Sequence, residues 1–323
     1  MENHTLLVIS DPTDPQLAML DQLPDKTSIV VGNSMELFER HLESADVLLN
    51  WSLDRELMRK LLAACPRLQW IHTRSAGLDN LMFPELVESP IVLTNGTGVF
   101  SQSLGEFVLA GILYFAKDFR RMIRSQMAGI WDPFDIVEIS GQTVGIVGYG
   151  DIGRAVATRV RAMGMRVLAV KRHGPPLYNV DPLVAQVYGP DRLLQMIPQC
   201  DYVVVAAPLT PETRSMIGEA EFGAMKPDAV IVNVGRGPVI DEAAMVRALA
   251  ERRIKGAVLD VFDKEPLADG HPLYGLDNVL LSAHCADHTP DWMEQAMRFF
   301  IEQFERFRTS VPLQNIVEKK LGY

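Results

Sequence analysis

The stretch Thr143–Ala157 carries the glycine pattern G-x-G-x-x-G between an apolar strand and a helix that begins at once. Gly148 permits a tight turn, Gly150 lets a pyrophosphate approach the backbone, and Gly153 lets the helix pack on the sheet. The N–H groups and dipole at the helix start favour phosphate charge. A second strand follows the helix, and this context favours a dinucleotide-binding βαβ unit over a plain βαβ turn. The residues predicted to bind the cofactor here are Gly148, Tyr149, Gly150, Asp151, Ile152 and Gly153.

The composition excludes several classes of partner. The chain has 323 residues, of which 48% are hydrophobic, and a net charge of −10. This length allows two domains, and the acidic balance argues against nucleic acid or an anionic membrane as the main partner. The three cysteines, Cys65, Cys200 and Cys285, lie far apart without a CxxC pair. They indicate a reducing compartment and neither a structural disulfide nor a metal site.

Nothing in the sequence predicts a membrane segment. The most apolar run, Phe107–Ala116, has about ten residues, whereas a helix needs ~20 to cross a bilayer. The N-terminal apolar run is short and followed by an acid, which is typical of a first β-strand and not of a signal peptide. We therefore expect a soluble, cytoplasmic protein.

Short apolar strands alternate with helices along most of the chain, a pattern that predicts parallel sheets with right-handed crossovers. Leu6–Thr94 contains five such strands without a glycine phosphate loop. Six more strands are predicted from Thr143 to Ser282, preceded by one long helical stretch, Ser101–Met127. The amphipathic helix Pro290–Phe307 is expected to return to the first domain. The predicted fold class is α/β with two doubly wound parallel sheets, in which a dinucleotide-binding domain (residues 100–287) is inserted into a flavodoxin-like substrate domain (residues 1–99 and 288–323).

A loop at the end of a strand in the first domain is a candidate for substrate binding. It contains Ser75, Ala76 and Gly77, and open α/β sheets bind ligands at the carboxyl ends of their strands. The backbone N–H groups of Ala76 and Gly77 could hold an anion such as a carboxylate. The same sequence is also compatible with an ordinary glycine turn that binds no ligand.

The end of the second nucleotide-domain strand indicates which dinucleotide is bound. An Asp or Glu about 20 residues after the glycines usually binds the ribose 2′-OH of NAD. Here Lys171 and Arg172 occupy this place, and these two cations suit a 2′-phosphate. We therefore expect NADP(H) to be preferred, with NAD(H) also possible.

Three residues that suit the reduction of a 2-keto acid follow successive strands of the nucleotide domain. Hydride transfer from a nicotinamide leaves an alkoxide that needs a proton, which His284 can donate while Glu265 favours its imidazolium. Arg236 can hold the substrate carboxylate and polarise the carbonyl oxygen. Each residue alone has an ordinary structural interpretation, but their position at successive strand ends favours catalysis.

These motifs resemble the D-isomer-specific 2-hydroxyacid dehydrogenase family over nearly the whole chain. The resemblance implies that Arg236, Glu265 and His284 are catalytic and that Ser75, Ala76 and Gly77, with Arg236 and His284, bind the substrate. It also implies a homodimer built through the nucleotide domains. The further cofactor-binding residues it implies are Pro208, Thr213, Val234 and Asp260, the last near the nicotinamide carboxamide.

The basic pair at 171–172 points to members of the glyoxylate or hydroxypyruvate reductase type, which reduce small 2-keto acids to D-2-hydroxy acids. Ala283 stands where many members have Pro, and Asp287 stands where small residues are common, so the rim of the site departs from the family pattern. Two alternatives stay open. One is an NAD-linked D-2-hydroxyacid dehydrogenase, and the other is a non-enzymatic dinucleotide sensor of the corepressor type.

Overall fold

The computed structural model describes residues 3–172 and 181–323 and divides the chain into two compact units. The first unit combines Met1–Phe100 with Thr289–Tyr323, and the second is Ser101–His288.

The first unit contains a five-stranded parallel sheet, and both faces of most strands are buried. The helix Arg55–Ala64 shows how the sequence sets local bounds, because Asp54 accepts a hydrogen bond from the Leu57 N–H at its start and Pro66 follows its end. The strands are β1 (His4–Ile9), β2 (Thr27–Gly32), β3 (Val47–Asn50), β4 (Trp70–Thr73) and β5 (Val92–Thr94). The helices are α1 (Met35–Phe38), α2 (Arg55–Ala64) and α3 (Pro84–Glu88), with 3₁₀ segments at Pro15–Gln22 and Glu39–His41.

The strand order β2-β1-β3-β4-β5 is that of a flavodoxin-like sheet, which confirms the predicted class of this domain. All registers are parallel; Leu6, for example, lies opposite Ile29 on one side and Val47 on the other. The carboxyl ends of β3 and β4 therefore lie side by side, and the residues that follow them, Trp51 and Arg74, meet at one edge.

The second unit contains a seven-stranded parallel sheet in the order β12-β11-β10-β9-β6-β7-β8, which is the doubly wound dinucleotide-binding arrangement. Its edge strand Gln186–Tyr188 was not predicted, because three residues with a single aliphatic side chain give no periodic signal. The strands are β6 (Thr143–Val147), β7 (Arg166–Val170), β8 (Gln186–Tyr188), β9 (Tyr202–Val205), β10 (Val230–Asn233), β11 (Gly256–Leu259) and β12 (Val279–Leu281).

The expected single helical stretch Ser101–Met127 is wrong in one respect, because the structure divides it into two helices. Asp118 adopts a left-handed conformation (φ 49°), and its carboxylate accepts a hydrogen bond from the Arg121 N–H, which starts a new helix. The helices are α4 (Ser101–Ala116), α5 (Phe119–Ala128), α6 (Asp151–Ala162), α7 (Leu193–Met196), α8 (Glu219–Ala224), α9 (Glu242–Ala250) and α10 (Pro272–Gly275). Three 3₁₀ segments lie at Pro190–Arg192, Ile197–Gln199 and Gly237–Val239.

The last helix, α11 (Trp292–Arg308), belongs to the first unit. Its buried face carries Phe300 and Phe304, and Phe300 stacks on Trp70 of β4 with 5.5 Å between the ring centroids. This aromatic packing explains why the C-terminal helix joins the sheet built from the first hundred residues.

None of the helices in the described part of the chain is both long enough and apolar enough to cross a membrane.

Candidate active site

The three glycines of the turn after β6 have different surroundings. Gly148 has φ +97°, and a Cβ there would lie 2.4 Å from the Ala207 nitrogen. A Cβ at Gly153 would lie 2.6 Å from the Gly148 oxygen, whereas one at Gly150 would meet no atom within 4 Å. The protein itself therefore needs glycine at the first and third positions, while the space at Gly150 fits the close approach of a pyrophosphate.

The residues between these glycines connect the turn to its neighbours. Asp151 and Ile152 form the first turn of α6. Tyr149 is almost buried, and its hydroxyl donates to Asp181, which also accepts from Arg154. The glycine turn is thus tied to the chain that follows β7, where the adenosine end of a dinucleotide binds in this fold.

The basic pair after β7 lies beside the loop that follows β9. Lys171 is exposed, and an Arg172 Nη2 donates to Glu212 Oε2 at 3.0 Å. Glu212 also accepts from the Thr210 hydroxyl at 2.8 Å. In the same loop, the Thr213 hydroxyl donates to the Pro208 oxygen at 2.6 Å. The structure thus brings four of the predicted cofactor residues to adjacent loops.

His284 and Glu265 form a close pair after β12 and β11. His284 Nδ1 lies 2.6 Å from Glu265 Oε2, and the other carboxylate oxygen accepts from the Phe262 N–H at 2.9 Å. Because a carboxylate only accepts hydrogen bonds, Nδ1 carries a hydrogen in this pair. No described residue bonds to Nε2, so this nitrogen is the one that can exchange a proton with a ligand.

The backbone around His284 is held by Asp260, a role that sequence reasoning missed. Asp260 is 1% exposed, and its Oδ1 accepts from the N–H groups of Cys285 and Ala286 at 3.0 and 3.1 Å. Its backbone oxygen accepts from the His284 N–H at 2.9 Å. These bonds stabilise the left-handed conformation of His284 (φ +52°). The only sequence signal for this role was that Asp260 and His284 follow successive predicted strands.

Arg236 lies in the loop after β10, close to the chain that carries Glu265. Its Nη1 donates to the Gly235 oxygen at 3.0 Å. The Asn233 side chain donates to the Arg236 oxygen at 3.1 Å and accepts from the Gly235 N–H at 3.0 Å. A Cβ at Gly237 would lie 1.9 Å from the Phe262 carbonyl carbon, so the two loops touch through their backbones. The predicted cofactor residue Val234 is buried in this loop and donates to the Val205 oxygen.

A cavity of about 580 Å³ opens beside the histidine and glutamate pair. Its size is in the range of small-molecule sites. Asp287, three residues after His284, is partly buried, and this burial raises the pKa of its carboxyl above the ordinary value. The cavity is lined by Phe262, Glu265, Pro266, Leu267, Tyr274, Leu281, Ser282, Ala283 and His284.

The loop Ser75–Gly77 in the first unit has its carbonyl groups occupied and its N–H groups available. The Ser75 oxygen accepts from the Gly96 N–H, and the Ala76 oxygen accepts from Asn95 Nδ2 at 2.7 Å. The Gly77 oxygen accepts from the Ser75 hydroxyl at 2.8 Å. Within the described residues no acceptor faces the N–H groups of Ala76 and Gly77, an arrangement that suits an anion.

Two proteins are similar in sequence to this chain over most of its length. A D-3-phosphoglycerate dehydrogenase of Methanocaldococcus jannaschii is 29% identical over 98% of this chain, which spans 61% of that longer protein. A glyoxylate reductase of Thermofilum pendens is 33% identical over 85% of this chain and 83% of its own length.

A solved structure has the same two-domain fold. It is an NADPH-dependent glyoxylate/hydroxypyruvate reductase from Sinorhizobium meliloti in complex with NADP and sulfate, 25% identical, with a TM-score of 0.84 over 99% of this chain and all of that one. Residues 109–286 match the model of the NAD binding domain of D-isomer specific 2-hydroxyacid dehydrogenases. The chain belongs to this D-isomer specific 2-hydroxyacid dehydrogenase family and is an NAD(P)-dependent enzyme.

Proposed function

We propose that this enzyme reduces small 2-keto acids of the glyoxylate and hydroxypyruvate type to D-2-hydroxy acids, with NADPH preferred over NADH. The observation that carries the proposal is the 2.6 Å pair of His284 and Glu265 at the wall of a cavity of about 580 Å³. The glyoxylate reductase named among the relatives supports the same reaction.

The catalytic roles follow from the donors that each side chain offers. The bound nicotinamide supplies the hydride. Glu265 fixes the ring of His284 through Nδ1, so that Nε2 delivers the proton to the new hydroxyl oxygen. Arg236 polarises the carbonyl oxygen with its fixed charge. The free N–H groups of Ala76 and Gly77 bind the substrate carboxylate, and the Ser75 hydroxyl holds this loop in shape.

The preference for NADPH rests on the basic pair after β7. Neither Lys171 nor Arg172 repels a 2′-phosphate, and the guanidinium can bind it bidentately. The NADP bound in the Sinorhizobium meliloti reductase is in keeping with this assignment. An NAD-linked dehydrogenase and a dinucleotide sensor without turnover are the alternatives.

We further infer that two copies associate through an apolar surface on α5 and the segment after it. Apolar side chains recur there at helical spacing and are exposed, most of all Met127 at 84% and Trp131 at 95%. Arg121 holds this segment by donating to both carboxylate oxygens of Asp132 at 2.6 and 2.7 Å. A fixed apolar surface of this kind is typical of a protein interface. It consists of Phe119, Met122, Ile123, Met127, Ile130 and Trp131.

The test is a set of initial rates on glyoxylate, hydroxypyruvate, pyruvate and a bulky aromatic keto acid, each with NADPH and NADH. We expect turnover of a small keto acid with higher kcat/KM for NADPH. Equal efficiencies, or a preference for NADH, would contradict the cofactor assignment alone. Tight binding of both cofactors without turnover of any keto acid would contradict the proposal that this protein reduces 2-keto acids.

A further inference from the structure

Two peptide groups in the loop Ser75–Gly77 are fixed through their oxygens by the loop that follows β5. The Ser75 oxygen accepts from the Gly96 N–H at 3.0 Å. The Ala76 oxygen accepts from Asn95 Nδ2 at 2.7 Å. In a planar trans peptide the N–H points away from the C=O of the same group. Fixing these two oxygens therefore sets the direction of the two N–H groups that are proposed to bind the substrate carboxylate.

The residues that supply these bonds are held in turn by Asn315, which lies 220 positions further along the chain than Asn95. Asn315 Nδ2 donates to the Thr97 oxygen at 2.6 Å and to the Asn95 oxygen at 3.4 Å. The Asn95 oxygen belongs to the same peptide group as the Gly96 N–H. A row of hydrogen bonds thus runs from the Asn315 amide through two peptide groups and ends at the Ala76 N–H. Hydrogen bonds in such a row polarise and strengthen one another.

The position of Asn315 is itself fixed on both sides. Before it, the Gln314 N–H donates at 2.7 Å to Oε1 of Gln303, a fully buried side chain of α11. After it, the Val317 N–H donates to the Leu93 oxygen of β5 at 2.9 Å. Asn315 has a left-handed conformation (φ +54°), which Asn adopts more readily than most residues. The backbone therefore holds the Asn315 amide in place against the loop after β5.

We propose that Asn315 is a positioning residue for the substrate, because it sets the loop Ser75–Gly77 so that two N–H groups face the substrate carboxylate. The inference rests on the proposed function, since it assumes that the carboxylate binds at these N–H groups. The loop has no helix or strand of its own, yet a binding site needs its groups held within about 0.5 Å of the productive geometry. Asn315 acts through the loop and not on the reacting carbonyl, so its loss affects binding and not the chemical step.

The experiment measures two variants of the full chain. N315G keeps the left-handed backbone and removes the amide, whereas N315D keeps the shape and places a carboxylate against two carbonyl oxygens. We expect KM for glyoxylate to rise by roughly 3- to 10-fold in N315G, as the loss of one net hydrogen bond predicts. The rise in N315D should be larger. In N315G, kcat and Kd for NADPH should stay within ~2-fold of the wild type, since only substrate binding is weakened.

Oxamate provides a readout of binding alone, because this 2-keto acid analogue accepts no hydride. Its inhibition constant should rise by the same factor as KM for glyoxylate. S310G is the matched control, since Ser310 is also left-handed (φ +56°) and follows α11, but its N–H donates to the Phe307 oxygen at 3.1 Å. This variant should keep the KM and the inhibition constant of the wild type. Melting temperatures are recorded for every variant, and N315G decides the question if N315D does not fold.

Unchanged values of KM for glyoxylate and of the oxamate inhibition constant in N315G would overturn the inference and leave the proposed function standing. Equal losses in KM for glyoxylate and in Kd for NADPH would show that Asn315 only stabilises the fold, which also overturns the inference. Absence of turnover of every keto acid by the wild type would overturn the proposed function, and the inference with it.

Discussion

Arg172 and Glu212 form an ion pair of 3.0 Å between the loops after β7 and β9, although 40 residues separate them. The Thr210 hydroxyl and the Arg172 guanidinium both hold the pKa of Glu212 below its ordinary value, the hydroxyl more strongly. Under the proposed cofactor assignment, Glu212 is therefore an anion that competes with the 2′-phosphate of NADPH for Arg172. We expect E212Q to lower KM for NADPH by up to ~5-fold, the range of exposed ion pairs, and to leave KM for NADH unchanged.

Steady-state kinetics with both cofactors check this expectation. R172M should raise KM for NADPH and not for NADH, and adding E212Q to it should give no further change. E219Q is the matched control, because Glu219 is a similarly exposed carboxylate that pairs with Arg247 at 2.9 Å elsewhere in the same unit. If E212Q alters both cofactors alike, the carboxylate does not act on the 2′-phosphate.

The pair of His284 and Glu265 leads to a prediction for the chemical step. H284Q removes the proposed proton donor and should lower kcat by ~10²- to 10⁴-fold, the usual contribution of general acid catalysis. E265Q can still accept from Nδ1 and hold the ring but lacks the negative charge of Glu265, so we expect a smaller loss, in kcat more than in KM. H271Q is the control, since His271 Nε2 lies 3.2 Å from Glu242 in a second histidine–glutamate pair of this unit. Losses as large in H271Q as in H284Q would indicate damage to the fold.

In the glycine turn after β6, we expect Gly150 to matter for cofactor binding and Gly148 for stability of the fold. A Cβ at Gly150 meets no protein atom within 4 Å, so G150A should keep the melting temperature of the wild type. It should nevertheless raise Kd for NADPH by ~10-fold or more, since a methyl group there excludes the pyrophosphate. G148A should lower the melting temperature, because its φ of +97° and a contact of 2.4 Å to the Ala207 nitrogen both oppose a side chain. A G150A variant that binds NADPH normally would place the pyrophosphate elsewhere.

The fold class could be predicted from the sequence because apolar strands at regular intervals and the glycine turn are local signals. Strand β8 and the break at Asp118 were missed, since one depends on pairing with β7 and the other on a single capping side chain. Candidate site residues at the strand ends could be recognised because the strands themselves have a local apolar pattern that shows where each one ends. The pair of His284 and Glu265 was expected from the sequence, but the contacts of Arg172 with Glu212 and of Asp260 with the His284 loop were not, because no local pattern marks them.

The apolar surface on α5 predicts the effect of a charge on self-association. M127E places a carboxylate in the proposed interface, where an unpaired charge is costly, so the dimer should dissociate into monomers in light scattering after size-exclusion chromatography. L37E is the control, because Leu37 is also exposed, at 49%, but lies in the first unit. A wild-type monomer, or an M127E dimer as stable as the wild type, would show that copies do not associate through this surface.

His72 predicts how stability depends on pH. Its ring is fully buried among Trp70, Phe299 and Phe300, its Nδ1 lies 2.8 Å from the Thr94 hydroxyl, and burial lowers its pKa to about 3. The unfolded chain has a histidine of ordinary pKa, 6.5. Between these two values only the unfolded state binds the proton, so the free energy of unfolding falls as the pH is lowered.

From pH 7 to pH 5 this single group should cost about 2 kcal/mol of stability. H72Q lacks the titrating ring, so its free energy of unfolding should fall by that much less over the same interval, whatever its value at pH 7. Urea unfolding at both pH values measures the difference, with H41Q as the control for a histidine outside the core. Equal pH dependence in wild type and H72Q would mean that the folded protein also protonates His72 near pH 6, against its burial between aromatic rings.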